Sequence, residues 1–216
     1  MQIFSTILQG LISGAVITVT VSLASLVLAI LLGFVLALIK QFSGSRALGF
    51  MIDAYGEVLR NIPAITHLFI IYFGLAAIGI RIPSIPAAIL GLALIGSAVT
   101  CDIFCSGFAS LNKGQREAAL AVGFTPLQSI WNILTPQALR IALPPLGNYA
   151  LQLLKDTSIV SAIAAPEIMF HARSMVTSSF QTTLIYSTAA AIYLFLSLPL
   201  AYFVKTLEAR FSEGRR

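Results

Sequence analysis

The sequence predicts an all-α membrane protein: one transmembrane domain over residues 1–216 with about five membrane-spanning helices. Three observations predict it. The chain is 58% hydrophobic and only 10% charged, with mean hydropathy +0.94, whereas a soluble domain carries about 25% charged residues. Apolar runs near 11–38, 52–77, 86–108, 141–163 and 183–205 each reach the roughly 20 residues that a helix needs to cross a ~30 Å hydrocarbon core. The cations fall between these runs rather than in a stripe interleaved with exposed aromatics, so the net charge of +5 points to membrane topology and not to nucleic acid.

The first run carries no charge before Lys40, so it lacks the positive flank of a cleaved signal peptide and is expected to stay. Gly10, Gly14 and Gly33 with Ser13, Ser22 and Ser25 give it small faces for close helix packing. None of the runs shows strict two-residue alternation, and all exceed the about 9–11 residues of a barrel strand. In the second run, Glu57 and Arg60 can pair at i, i+3, and Pro63 is expected to bend the helix. His67, in the same run, is expected to be hydrogen-bonded within the bundle. Cys101 and Cys105 in the third run read as two buried thiols on one helix face.

Cation placement sets the orientation. With the N-terminus outside, the inner segments hold Lys40, Arg46, Lys113, Arg116, Arg140, Lys205, Arg210, Arg215 and Arg216, and the outer ones only Arg81 and Arg173. An excess of cytoplasmic Lys and Arg predicts N-out, C-in. The outer loop 164–182, which holds Glu167 and His171, is a place where an external protein can touch the chain.

Residues 109–140 form the longest connection, on the cytoplasmic side. Gln115 to Val122 is good helix-forming sequence, with Gly123 as its stop and Pro126 shortly after. A second short helix near Leu127–Leu134 is expected to end before Pro136. Such a helix–turn–helix outside the membrane suits a protein partner.

Within this loop stand Glu117, Ala118, Ala119, Gly123, Ile133 and Pro136, spaced as Glu-Ala-Ala, three residues, Gly, nine residues, then Ile-x-x-Pro. This spacing resembles the cytoplasmic signature of bacterial ABC-importer permeases of type I. Thr135 stands where that family has Leu. The flanking GQREAA, PQALRIALPPLGN and LLKDTS, and YGEVLRNIPAITHLFIIYFGL, resemble its polar amino-acid branch, similar to the histidine, glutamine and arginine permeases. The resemblance runs from about Gly14 to Leu200 and implies a coupling helix around Glu117–Gly123 that is driven by a dimer of separate ATP-binding subunits. It also implies a second permease subunit, the same or homologous, an extracytoplasmic solute-binding protein and a polar amino-acid substrate, all at the bacterial inner membrane. Alternating access would need no cofactor and no catalytic residue on this chain, and no GxxxxGK[ST] loop is present. In the segment SAVTCDIFCSGF, Val99, Asp102, Cys105 and Ser106 replace the family's Tyr, Glu, Arg and Gly, which leaves Asp102 without an intrahelical cation.

Ionisable groups at bilayer depth are expensive and mark functional candidates. Lys155 and Asp156 fall near the middle of the fourth run, with Thr157 and Ser158 beside them. Asp156 and Glu57 are the expected partners of a substrate ammonium. Arg60, Thr157 and Ser158 are the expected partners of its carboxylate, and Asp102 completes the candidate path. The alternatives are an ion-coupled transporter or channel with Lys155 and Asp156 as a relay, and a membrane enzyme, for which no HExxH or clustered-His motif is found.

Overall fold

The computed structural model describes residues 2–212, which are helical wherever they are regular. Eight helices follow one another: α1 (Gln2–Phe42), α2 (Arg46–Asn61), α3 (Ala64–Ala77), α4 (Ser84–Ala109), α5 (Lys113–Ala121), α6 (126–156), α7 (Ile168–Ser179) and α8 (Thr182–Ser212). Three of them, over Ile7–Phe42, Ser84–Ala109 and Thr182–Arg210, are each long and apolar enough to cross a bilayer, and α2 with α3 supplies a fourth candidate if the pair counts as one span.

The spine is α1 against α4, and small residues make it possible. A Cβ on Gly33 would lie 2.0 Å from Thr100 Oγ1, and one on Gly96 2.7 Å from Ala29 Cβ. The two backbones therefore touch, as expected where helices associate in lipid without a hydrophobic driving force. The Thr100 hydroxyl donates to the Ala29 carbonyl at 2.6 Å, and Ser25 Oγ donates to the Ile89 carbonyl at 3.3 Å. Around this seam Val21, Leu68, Leu92, Leu153, Val160 and Ile163 form the largest buried cluster.

The second apolar run is not one straight span. Ile62 takes an extended conformation (φ −95°, ψ 133°) and α3 leaves α2 at 100°. Pro63 is the cause: its ring disfavours helix at the preceding residue, and it has no N–H to continue the ladder. The expected bend is there, and it is a break between two helices.

The expectation for Pro136 fails. The second cytoplasmic helix does not stop before it but runs on into the membrane segment as α6, through a π-helical turn at Ile130–Leu134. In that turn the Thr135 N–H bonds back to the Ile130 carbonyl, five residues away. The widened register takes up the missing proline donor without ending the helix. The start of α6 carries a full capping box of Thr125 and Gln128 with Pro126 at its first position.

At its far end α6 stops at Asp156, a 3₁₀ segment follows at Thr157–Ile163, and Ala164 closes it at φ +56°. Lys155 and Asp156 thus sit at a helix end and not in mid-helix. The loop 164–182 is also largely ordered, as α7 packed on α1 and α8.

Candidate functional site: a coupling helix and two polar stations

The expected coupling helix, α5, is built from local signals. Asn112 caps the start of α5, its Oδ1 accepting from the Gly114 N–H at 2.9 Å. At the other end Gly123 has φ +90°, its N–H bonds to the Leu120 carbonyl, and the Phe124 N–H bonds to the Ala119 carbonyl. A Cβ at Gly123 would meet nothing, so glycine is required there for its left-handed conformation alone. Of α5, Ala119 is buried at 2% exposure while Glu117 and Ala118 face outward. Glu117 does not cap the helix, and no described side chain pairs with it. Ile133 is half-buried in the π turn and Pro136 is exposed. Gln137 Nε2 reaches Gln115 Oε1 at 3.4 Å, and Trp131 lies edge-on to Phe34 at 6.1 Å. Beneath α5 a cavity of about 520 Å³ is lined by Phe42, Phe108, Leu111, Arg116, Glu117 and Leu120.

The six candidate path residues divide into two stations. At the first, Arg60 donates to Asp102 Oδ2 at 2.5 Å and to Glu57 Oε1 at 2.9 Å. Asn61 Nδ2 donates to Glu57 Oε2 at 2.7 Å. Asp102 therefore does have a cation, supplied by α2 across 42 residues instead of by its own helix. The Glu57 and Asp102 side chains remain 65% and 49% exposed. A neighbouring pair of Lys40 with Asp53, which the sequence did not single out, pins α2 to the end of α1.

At the second station Gln152 Nε2 donates to Asp156 Oδ1 at 2.9 Å. Thr157 is fully buried and its hydroxyl donates to the Leu154 carbonyl at 2.7 Å, while Ser158 is half-buried. Lys155 points away into the open. The register of α4 and α6 places Gly107 against Ala138 and Gly96 against Tyr149. The helices run antiparallel, so Asp102 and Asp156 lie on opposite sides of that contact, roughly 20 Å apart at ~1.5 Å per residue.

The expectation for His67 also changes. Both ring nitrogens of His67 are buried without a hydrogen-bond partner among the described residues. Glu167, in the same outer segment as His171, is fully buried, accepts from the Phe170 N–H and from the Tyr193 hydroxyl at 2.7 Å each, and caps α7. Burial pushes its carboxyl above the ordinary glutamate range, against the pull of the Met169 N–H, the Tyr193 hydroxyl and the Phe170 N–H. Gly14 of α1 lies directly on its backbone, where a Cβ would come within 2.8 Å. The free thiols Cys101 and Cys105 are buried and half-buried.

Residues 29–213 match the family described as "Binding-protein-dependent transport system inner membrane component". A probable glutamine ABC transporter permease of Bacillus subtilis (strain 168) is 34% identical over 197 residues, covering 91% of each chain. An L-cystine transport system permease of the same organism is 30% identical over 210 residues, covering 97% of this chain and 88% of its own. Among solved structures, an amino acid ABC transporter crystallised with histidines superposes with a TM-score of 0.85 at 30% identity, over 94% of both chains. This fold is that of an ABC permease and not of an ion-coupled carrier. A solvent-exposed helical corner at α5, a bundle sealed by glycine contacts and a match over most of the length agree: the chain belongs to the binding-protein-dependent inner membrane component family, as the membrane-spanning permease subunit of an ATP-driven importer whose ATPase is a separate subunit.

Proposed function

We propose that this permease carries polar amino acids, or derivatives of them, into the bacterial cytoplasm by alternating access. The reading has the N-terminus outside and the C-terminus inside. Its five crossings are α1, the bent α2–α3 pair, α4, α6 and α8. Two permease subunits, identical or homologous, enclose the path. Two ATP-binding subunits dock on α5 and an extracytoplasmic solute-binding protein delivers the substrate. Glu117, Ala118, Ala119, Gly123, Ile133 and Pro136 are the coupling residues.

The observation that carries the reading is the unbroken course of α6. It starts beside α5 with the Thr125–Gln128 capping box and ends at Asp156. A push on α5 reaches α6 through the Gln115–Gln137 contact and the short Gly123 turn. From there it is delivered to the deeper polar station without an intervening loop. Asp156, half-buried at the break between α6 and the 3₁₀ segment, meets the substrate ammonium, and Ser158 meets the carboxylate. Thr157 holds the break itself through its bond to Leu154. Glu57, Arg60 and Asp102 form the second station, where an amino acid's paired charges exchange with an existing ion pair. Broken helices lining a path are where transporters concentrate polar contacts at depth.

The test is ATPase activity of the reconstituted complex in lipid discs, with a panel of solute-binding proteins and amino acids. Stimulation by one loaded binding protein is expected for wild type and is lost in Gly123→Trp and Glu117→Lys. An ATPase that responds to none of them overturns the importer reading.

A further inference from the structure

Phe180 is the most exposed large apolar side chain among the described residues, at 86%. It also has φ +58° and ψ 13°, a left-handed conformation, at the C-cap of α7. That position normally goes to glycine or asparagine, because a Cβ crowds the following carbonyl oxygen there. An aromatic ring that is both strained and bare contributes nothing to the fold that supports it.

Its surroundings distinguish it from the other exposed aromatics. Phe195 and Phe203 lie inside α8, among apolar neighbours. Phe180 is flanked by Thr177, Ser178, Ser179, Gln181, Thr182 and Thr183, all exposed and uncharged, with the less exposed Leu184 the next apolar residue along the chain. Ser178 and Ser179 turn their hydroxyls back onto the Met175 carbonyl at 3.1 and 2.7 Å, so the collar is tied down rather than loose. From Phe180 to Lys205 is roughly 37 Å of chain at ~1.5 Å per residue, more than the ~30 Å of a hydrocarbon core. If Lys205 marks the inner edge, the ring stands beyond the outer one. Aromatics that rest among headgroups are chiefly Trp and Tyr, which have a polar tip; phenylalanine has none. A single ring within a rim of small hydrogen-bonding groups is the pattern of a protein-binding hot spot.

The corner is also held rigid. Glu167 and Gly14 fix one end of α7, and Met175 Cε packs on Gly10 near the other. A partner therefore meets a pre-ordered surface and spends little on ordering it.

We propose that Phe180 is the anchor on which the soluble extracytoplasmic binding protein seats, its ring entering an apolar pocket while the Thr177–Thr183 collar hydrogen-bonds around it. This rests on the importer reading and on the outward orientation of α7. Two measurements separate it from them. In the first, Phe180→Cys in a background with Cys101→Ala and Cys105→Ala is treated with a membrane-impermeant maleimide on intact cells. Labelling from outside is expected; labelling only in inverted vesicles, or in neither because lipid covers the site, overturns the proposal. In the second, the complex in lipid discs is titrated with the binding protein that stimulates wild type. Phe180→Ala and Phe180→Gly are expected to raise the half-maximal concentration about tenfold or more, with basal ATPase unchanged, while Phe180→Trp keeps it near wild type. Phe180→Gly is the folding control, because glycine suits the left-handed backbone and keeps the corner intact. Unchanged titration in both truncations, with wild type still stimulated, overturns the anchor and leaves the importer reading standing.

Discussion

Arg60 divides its guanidinium between Glu57 and Asp102, so its loss strands two carboxylates at once. Arg60→Ala is expected to reduce transport more than Asp102→Asn, because the latter leaves the Arg60–Glu57 pair intact. The double exchange Arg60→Asp with Asp102→Arg is expected to recover part of the loss, measured as uptake into proteoliposomes. The three side chains are partly exposed, so the two ion pairs add little to stability, and the effect belongs to transport. Glu167 is the opposite case. Glu167→Ala removes the cap of α7 and the carboxylate partner of the Tyr193 hydroxyl, and is expected to cost about 1–2 kcal/mol, read as lowered thermal stability in detergent. Its carboxyl is raised by burial. Its contribution is thus full below the ordinary glutamate range and fades as pH rises through the higher native value. The stability advantage of wild type over Glu167→Gln is accordingly expected to shrink from acid to neutral pH.

At the scale of elements, the α5 turn has one critical atom position. Gly123→Ala puts a Cβ on a residue with φ +90° and is expected to strain the corner by about 1 kcal/mol. Uncoupling follows: basal ATPase continues while uptake falls, measured as substrate moved per ATP. The corner was legible in the sequence because its signals are local, namely a helix-forming run, a glycine stop and a proline shortly after, while the capping Asn112 and Thr125 emerged only with the structure. The bend at Pro63 was legible for the same reason. Pro136 misled because the π turn that accommodates it gives no local signal. The burial of Glu167 was not legible, because its hydroxyl partner Tyr193 is 26 residues away. The Arg60–Asp102 pair lies beyond any pattern along the chain, since two helices must first pack to bring it together. The structure brings Asp102 to the Glu57–Arg60 pair and leaves Asp156 apart from them.

For the whole molecule, the α1–α4 seam is the part on which everything else is hung. Gly33→Leu is expected to prevent assembly, because Thr100 Oγ1 and the Cys101 backbone already occupy the space. Loss of a monodisperse peak on size-exclusion chromatography checks this. The two stations, roughly 20 Å apart along the α4–α6 pair, span much of a hydrocarbon layer. On the proposed path a substrate leaving Asp156 has a second polar stop before water.

The length of α1 has a mechanical meaning. Its 41 residues make a rod of about 62 Å, and even a 40° tilt leaves about 47 Å along the membrane normal, well past a ~30 Å hydrocarbon layer. At its N-terminal end Ile7, Leu11 and Gly14 are gripped by α7 and α8. At its other end Gln41 and Phe42 wall the cavity under α5. No proline interrupts it. The surface that would receive a delivery protein and the surface that would receive the motor are thus two ends of one stiff strut. Displacement at either end reaches the other directly, with no hinge to dissipate it.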